Sequence, residues 1–183
     1  IKPTYDSLDD RLDSLYGLYV EGMRKNVDRK YYPNANSTLR LAYGKVEDYE
    51  PRDGVDYDFF TTTNGILEKY DPSNVDFDLP EKMVELIQNG DYGRYADEDG
   101  SMRVCFIASN HTTGGNSGSP VINAKGQLIG LNFDRNWEGT MSDINYDINL
   151  CRNISVDIRY VLWVVDKFAG AQRLIDEMEL VSK

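Results

Sequence analysis

Gly114-Gly115-Asn116-Ser117-Gly118-Ser119-Pro120 is the stretch on which the reading of this chain turns. A serine bracketed by glycines can sit in a turn whose backbone angles a Cβ would forbid. Such a turn can aim successive N–H groups at one point, which is what an oxyanion developing during acyl transfer requires. Gly115 and Ser117 are the residues whose N–H groups would converge there, with Ser117 as the nucleophile. The plain alternative is a Gly/Ser turn between two strands, but Gly-Asn-Ser-Gly-Ser-Pro is much more specific than a lone Gly-x-Ser-x-Gly.

Outward from this loop the pattern is β. Met102 to Ser109 is rich in apolar and β-branched residues and reads as the strand leading in. Val121-Ile122 forms a short strand leading out, Ala124-Lys125-Gly126 turns, and Gln127 to Phe133 forms the next strand. Trp137 to Ile144 reads as a loop, and Tyr146 to Ile154 as a returning strand. This order suits antiparallel structure. An α/β-hydrolase would place a helix directly after the serine, and Pro120-Val121-Ile122-Asn123 does not read as one. From Asp157 the period becomes helical, with Ser155 as N-cap, Ile158, Val161, Leu162 and Val165 on one face, and an interruption at Gly170 before Leu174, Ile175 and Met178.

Upstream, residues 7–27 read as an amphipathic helix, with Leu8, Leu12, Leu15, Tyr19 and Met23 at helical spacing. Its apolar stripe fits either packing on this chain's own sheet or the last helix of a helical domain. Tyr31 to Asn36 is a boundary, because Pro33 and the asparagines favour turns. Beyond it Leu39, Leu41, Tyr43 and Val46 alternate with polar residues as in a half-buried strand. Pro51-Arg52-Asp53-Gly54 is a turn, Phe59 to Thr63 a strand closed by Asn64-Gly65, and Ile66 to Tyr70 one helical turn. Pro80 opens a helix that runs to Asn89, with Met83, Val84 and Ile87 as its apolar face and Asn89-Gly90 as its C-cap. Asp91 to Gly100 is acidic and reads as a solvated loop without the carboxylate spacing of a calcium site.

The expected fold is therefore mainly β with flanking helices: the second β-barrel of a chymotrypsin-like pair, a C-terminal helix and the last helix of a helical domain. The expected divisions are residues 1–35 for that helical end, 36–154 for the barrel and 155–183 for the C-terminal helical segment.

The chain has 183 residues, 40% of them hydrophobic and 28% charged, with a net charge of −11. These values suit a globular domain, and the acidic balance argues against nucleic acid, because phosphate binding needs a basic face. No apolar run reaches about 18 residues, so no membrane-spanning helix is expected. The start at Ile1 and the lack of a signal peptide suggest a processed chain or a piece of a longer one. Cys105 and Cys151 do not make a disulfide framework. They read as two buried thiols, with pairing left open. Neither has metal-ligand company, and no metal or organic cofactor is expected.

A serine hydroxyl needs an adjacent base, ordinarily a histidine oriented by a carboxylate. The single histidine, His111, lies on the same loop as Ser117 and makes a poor base for it, since the imidazole must approach across a cleft. Two readings compete. The chain is a peptide-binding module without catalysis, or the base and its acid lie outside it on a first barrel.

Three motifs together carry a family resemblance: Gly-Asn-Ser-Gly-Ser-Pro-Val, then Gly-Leu-Asn-Phe-Asp-Arg-Asn-Trp-Glu from Gly130, then Ser155-Val156-Asp157-Ile158-Arg159-Tyr160-Val161-Leu162. From about Thr38 onward the chain resembles the bacterial dipeptidyl peptidases seven and eleven, serine exopeptidases of the periplasm and cell surface of Gram-negative bacteria. The resemblance implies a longer chain with a double β-barrel and an inserted helical cap, of which residues 1–35 would be the end, with Ser117 as nucleophile and Gly115 in the oxyanion hole. It implies that Asp134 holds the α-amino group of the substrate and that Phe133 lines the cleft. It further implies that Arg135 pairs with an Asp or Glu side chain, as in the acid-specific member, where the broad-specificity member has glycine. Partners are then peptides with a free N-terminus and an acidic second residue, and the missing N-terminal part of the same chain, which would supply His and Asp. The isolated segment would be inactive, and a homodimer stays open.

Overall fold

The computed structural model describes residues 2–28 and 38–181, and the chain divides into two compact units, Ile1–Asn34 and Ala35–Lys183. The boundary expected at Tyr31 to Asn36 lies outside the described residues.

The described residues of the first unit form one helix, α1 (Lys2–Asn26). It starts earlier than the apolar spacing predicts, because Pro3 sits in the first turn, where its missing N–H costs nothing. Arg24 and Lys25 close the last turn, a favourable place for cations against the helix dipole. Leu8, Leu12, Leu15 and Tyr19 are all exposed.

The second unit mixes helices with antiparallel sheet. A hairpin joins β1 (Tyr49–Arg52) to β2 (Val55–Tyr57). Asp53-Gly54 turns it, and Gly54 takes the positive φ of 75° that a tight hairpin needs. A five-stranded sheet follows: β3 (Phe60–Thr62), β4 (Arg103–Ala108), β5 (Pro120–Ile122), β6 (Leu128–Arg135) and β7 (Asn153–Asp157). Its spatial order is β3-β4-β7-β6-β5, and every pairing is antiparallel. Gly130 keeps the middle of this sheet close-packed, since a Cβ there would meet Val156 O at 2.6 Å and the Phe106 ring at 2.7 Å.

The helices are α2 (Thr63–Lys69), α3 (Glu81–Gln88), α4 (Ile158–Trp163) and α5 (Gln172–Asp176), with a π-turn over Val164–Phe168 between the last two. The core is Met83, Ile87, Tyr92, Tyr95, Met102 and Trp163. Trp163 is fully buried and satisfies its indole N–H on Asp91 O at 2.8 Å. α3 matches expectation, with Pro80 ahead of it and Gly90 at φ 63° after the Asn89 cap.

Several expectations fail for identifiable reasons. The alternating stretch at 38–46 forms no strand: Leu39, Leu41 and Tyr43 are exposed, and only Val46 bridges to Ala108. Phe59 O takes the last outward N–H of β4, at Ile107, and Lys45 O takes that of Ser109 just past its end, so residues before Lys45 run past the sheet. Asn64-Gly65 lies inside α2 rather than closing a strand. Thr63 there is anchored by its N–H on Met102 O and its hydroxyl on Tyr92, and this tertiary hold overrides local turn preference.

Asp91 to Gly100 is not simply solvated. Tyr92 and Tyr95 are buried, and the Asp97 carboxylate forms ion pairs with Arg103 at 2.6 Å and Arg159 at 3.5 Å. Residues 146–152 form a turn rather than a strand, because the Asp147 side chain and carbonyl capture Asn149 N, Leu150 N and Cys151 N. Ser155 is fully buried in β7, so the division expected after residue 154 falls inside a strand. The helix cap is instead Asp157, whose side chain accepts Arg159 N. Both cysteines are free thiols, and burial pushes the Cys105 thiol above its ordinary pKa.

Candidate active site

Strand β4 delivers the chain to the loop at 109–119, and the returning residues are stitched to β6. Gly118 N donates to Asn132 O at 2.7 Å, and Asn132 N donates to Ser119 O at 2.9 Å. Inside the loop Asn116 is a hub. Its side-chain oxygen accepts Thr113 N, while its carbonyl accepts Ser119 N and the Asn132 side-chain amide. Asn132 is itself buried, and its side-chain oxygen accepts the amide of buried Asn153 at 2.9 Å. A polar column through Asn116, Asn132 and Asn153 therefore ties the loop to the sheet.

Within that frame Gly115 has φ 97° and Gly118 φ 82°, the left-handed values expected of glycines around the serine. Ser117 is exposed, and its Oγ lies 3.3 Å from Phe133 O, to which it donates. Among the described residues, neither Gly115 N nor Ser117 N has a hydrogen-bond acceptor.

The carbonyl that receives Ser117 belongs to a bulge. On β6, Asn132 pairs with Ser155 but Asp134 pairs with Ile154, so Phe133 is an extra residue. Paired residues of an antiparallel sheet share a face. Asn132, opposite Ser155, and Arg135, opposite Asn153, consequently lie on one face, and Asp134 lies on the other with Ile154. Strict alternation would have separated Asn132 from Arg135. Bulges commonly re-aim side chains beside functional sites in this way.

Phe133 is 47% exposed, and Asp134 is exposed with its Oδ1 accepting Arg135 N at 2.8 Å. Arg135 is not open-handed. Its Nη1 donates to Asp143 Oδ1 at 2.8 Å and to Ser142 Oγ at 2.8 Å, and its Nη2 donates to Asp143 Oδ2 at 2.7 Å. The hydrogen bonds and charge of Arg135, with a smaller contribution from His111, hold the Asp143 carboxyl below the usual carboxylate range. In return Asp143 raises the Arg135 guanidinium above its ordinary pKa.

His111 belongs to the same loop system but not to the serine. Its Nε2 lies 3.0 Å from Ser142 O, and its ring packs edge-on against Tyr146 with centroids 4.9 Å apart. The structure thus brings Ser117, Phe133 and the Asp134–Arg135 backbone together at the end of β6, and it directs His111 to the 142–146 loop. Sequence reasoning missed Asp143 and Ser142. Their contact with Arg135 closes through a short 3-10 turn over Trp137–Met141, which leaves no periodic spacing to read. The available signal was chemical: a half-buried arginine needs a nearby carboxylate.

The Peptidase S46 family profile matches residues 1–180. An Asp/Glu-specific dipeptidyl-peptidase of Flavobacterium psychrophilum is 53% identical over 99% of this chain and 25% of its own length. A dipeptidyl-peptidase 7 of Phocaeicola vulgatus is 51% identical over 93% of this chain and 24% of its own length. The crystal structure of Porphyromonas endodontalis DPP11 in complex with the dipeptide Arg-Glu superposes with a TM-score of 0.79 at 52% identity, over 86% of this chain and 23% of that one. The chain spans about a quarter of the length of these relatives. The resemblance carried by the three sequence motifs holds over nearly the whole chain, and the chain belongs to the Peptidase S46 family.

Proposed function

We propose that this chain is the serine-bearing part of a serine dipeptidyl aminopeptidase that releases N-terminal dipeptides whose second residue is Asp or Glu. The observation that carries the reading is the end of β6. One bulged strand offers the carbonyl that receives the Ser117 hydroxyl and, two residues on, a charged guanidinium. The relatives named for Asp/Glu specificity support the same assignment.

In this mechanism Ser117 Oγ attacks the carbonyl carbon of the substrate's second residue while a general base takes its proton. The carbonyl oxygen becomes an oxyanion, received by the Gly115 and Ser117 N–H groups, which lack protein acceptors among the described residues. The amine leaves with a proton returned by the base, and water then releases the dipeptide from Ser117 by the same two proton transfers. Base and orienting carboxylate come from polypeptide outside these 183 residues, since the sole histidine is engaged with the Ser142 carbonyl and Tyr146. The sheet then serves as the second barrel of a chymotrypsin-like pair. Asp134, exposed and with Oδ2 left over, meets the substrate ammonium in a charge-assisted hydrogen bond and so fixes the cut at a dipeptide. Phe133 lines the cleft.

Arg135→Gly in the full-length enzyme tests the specificity. Cleavage after Asp and Glu should fall by at least about 100-fold, because an acid then enters a pocket without its counter-charge. Cleavage after apolar residues should survive, and an unchanged acid preference would sink the assignment. Labelling with a fluorophosphonate tests the chemistry separately. The wild-type protein should label at Ser117 and Ser117→Ala should not. An unlabelled wild type would favour a peptide-binding module without catalysis.

A further inference from the structure

The hydrogen bonds around Arg135 divide its guanidinium into two edges with different partners. Asp143 and Ser142 take the end-on edge: Nη1 has both of its hydrogens engaged, one on Asp143 Oδ1 and one on Ser142 Oγ, and Nη2 has one on Asp143 Oδ2. That leaves Nε–H and the second Nη2 hydrogen, which lie side by side along the other edge. Among the described residues neither has a protein partner, and a quarter of the side chain remains in contact with solvent. Two parallel N–H donors on one edge match a carboxylate. The same molecule contains that match, since Arg159 grips Asp157 with Nε at 3.0 Å and Nη2 at 2.7 Å.

We infer that Asp143, assisted by Ser142, is a positioning residue for specificity, which holds Arg135 by its end-on edge so that the side-on edge is presented to the acidic side chain of the substrate. This rests on the assignment of Arg135 to the acidic second residue and adds the device that orients it. An arginine stem has several rotatable bonds, and a free one would lose rotamer freedom on meeting its ligand. Three hydrogen bonds supplied by the chain itself make that ordering independent of substrate. Asp143 and the substrate acid are therefore simultaneous partners of one cation, not rivals for it.

The test is a comparison of Asp143→Asn and Ser142→Ala in the full-length enzyme, with dipeptidyl substrates that differ only in Asp, Glu or Leu at the second position. A weakened clamp should raise KM for the Asp and Glu substrates about five- to tenfold in Asp143→Asn and about two- to threefold in Ser142→Ala, the range of one or two lost hydrogen bonds. In Asp143→Asn the loss should exceed that on the Leu substrate by at least about fivefold, and in both variants the selective loss should disappear in an Arg135→Gly background. A lower KM for acidic substrates would mean that Asp143 competes with them, and equal losses on all three substrates would mean a merely structural role. Either result, or no change, overturns the inference. Arg135→Gly alone separates the two levels. If it spares the acid preference, the underlying specificity reading has failed. If it abolishes the preference while Asp143→Asn does nothing, only the positioning role has.

Discussion

Two Arg–Asp pairs, built from the same groups, are arranged in different ways. Asp157 caps α4 and accepts Arg159 through both side chain and backbone, while the remaining arm of Arg159 reaches Asp97, itself paired with Arg103. Asp157 is 7% exposed, and the carboxylate grip holds the Arg159 guanidinium above its ordinary pKa. Arg159 spends the side-on edge of its guanidinium on Asp157 and turns Nη1 to Asp97. Arg135 has a comparable bidentate acid, yet its pair sits at a strand end, with the Asp143 side chain 47% exposed and one edge of the guanidinium unspent. Charge alone does not separate a structural ion pair from a recognition element. What differs between these two pairs is the edge of the guanidinium that is spent, side-on in Arg159 and end-on in Arg135.

The largest effect expected from this contrast is on stability. Asp157→Ala removes the α4 cap and leaves Arg159 half-paired, and it should cost about 2–4 kcal/mol in thermal denaturation of the full-length protein. A loss as small as that of an ordinary surface substitution would erase the distinction. Arg135→Ala, by contrast, should change stability by no more than about 1 kcal/mol, as for other partly exposed pairs, while destroying the acid preference.

The smallest effect concerns pH. The folded-state pKa of Asp143 is lowered by Arg135, so the pair contributes stability above the unfolded carboxyl value of about 4. That contribution fades as pH falls through the lowered folded value. The difference in Tm between wild type and Asp143→Asn should accordingly be present at neutral pH and vanish in strong acid. A difference that grew on acidification would reverse the sign of the coupling.

What was legible in the sequence is what local chemistry dictates. α3 could be read because Pro80 starts it, Asn89-Gly90 ends it, and Met83, Val84 and Ile87 line one side. The serine loop could be read because Gly115 and Gly118 need backbone angles that other residues avoid. What could not be read depends on partners distant in sequence. The alternation of Leu39, Leu41 and Tyr43 states which residues could share a face, and says nothing of whether a strand edge is available to receive them. Asn64-Gly65 has hairpin chemistry, but Met102 and Tyr92 fix Thr63 and the helix runs through. Within the site Phe133, Asp134 and Arg135 share one motif, and Ser117 from another motif meets them through Phe133 O. Asp143, Asn132 and Asn153 are polar residues whose importance comes from where the sheet and one short turn bring them.

The bulge at Phe133 gives the site an unusual kind of vulnerability. Arg135 stands on the face of Asn132 only because one supernumerary residue shifts the phase of the strand between them. Substitutions in β6 leave that phase alone, whereas removing a single residue after Asn132 would restore a more regular ladder and turn the guanidinium to the opposite side. Under the proposed function, specificity depends on the count of residues along the strand as much as on their identity, and a length change there should spoil recognition while sparing the fold.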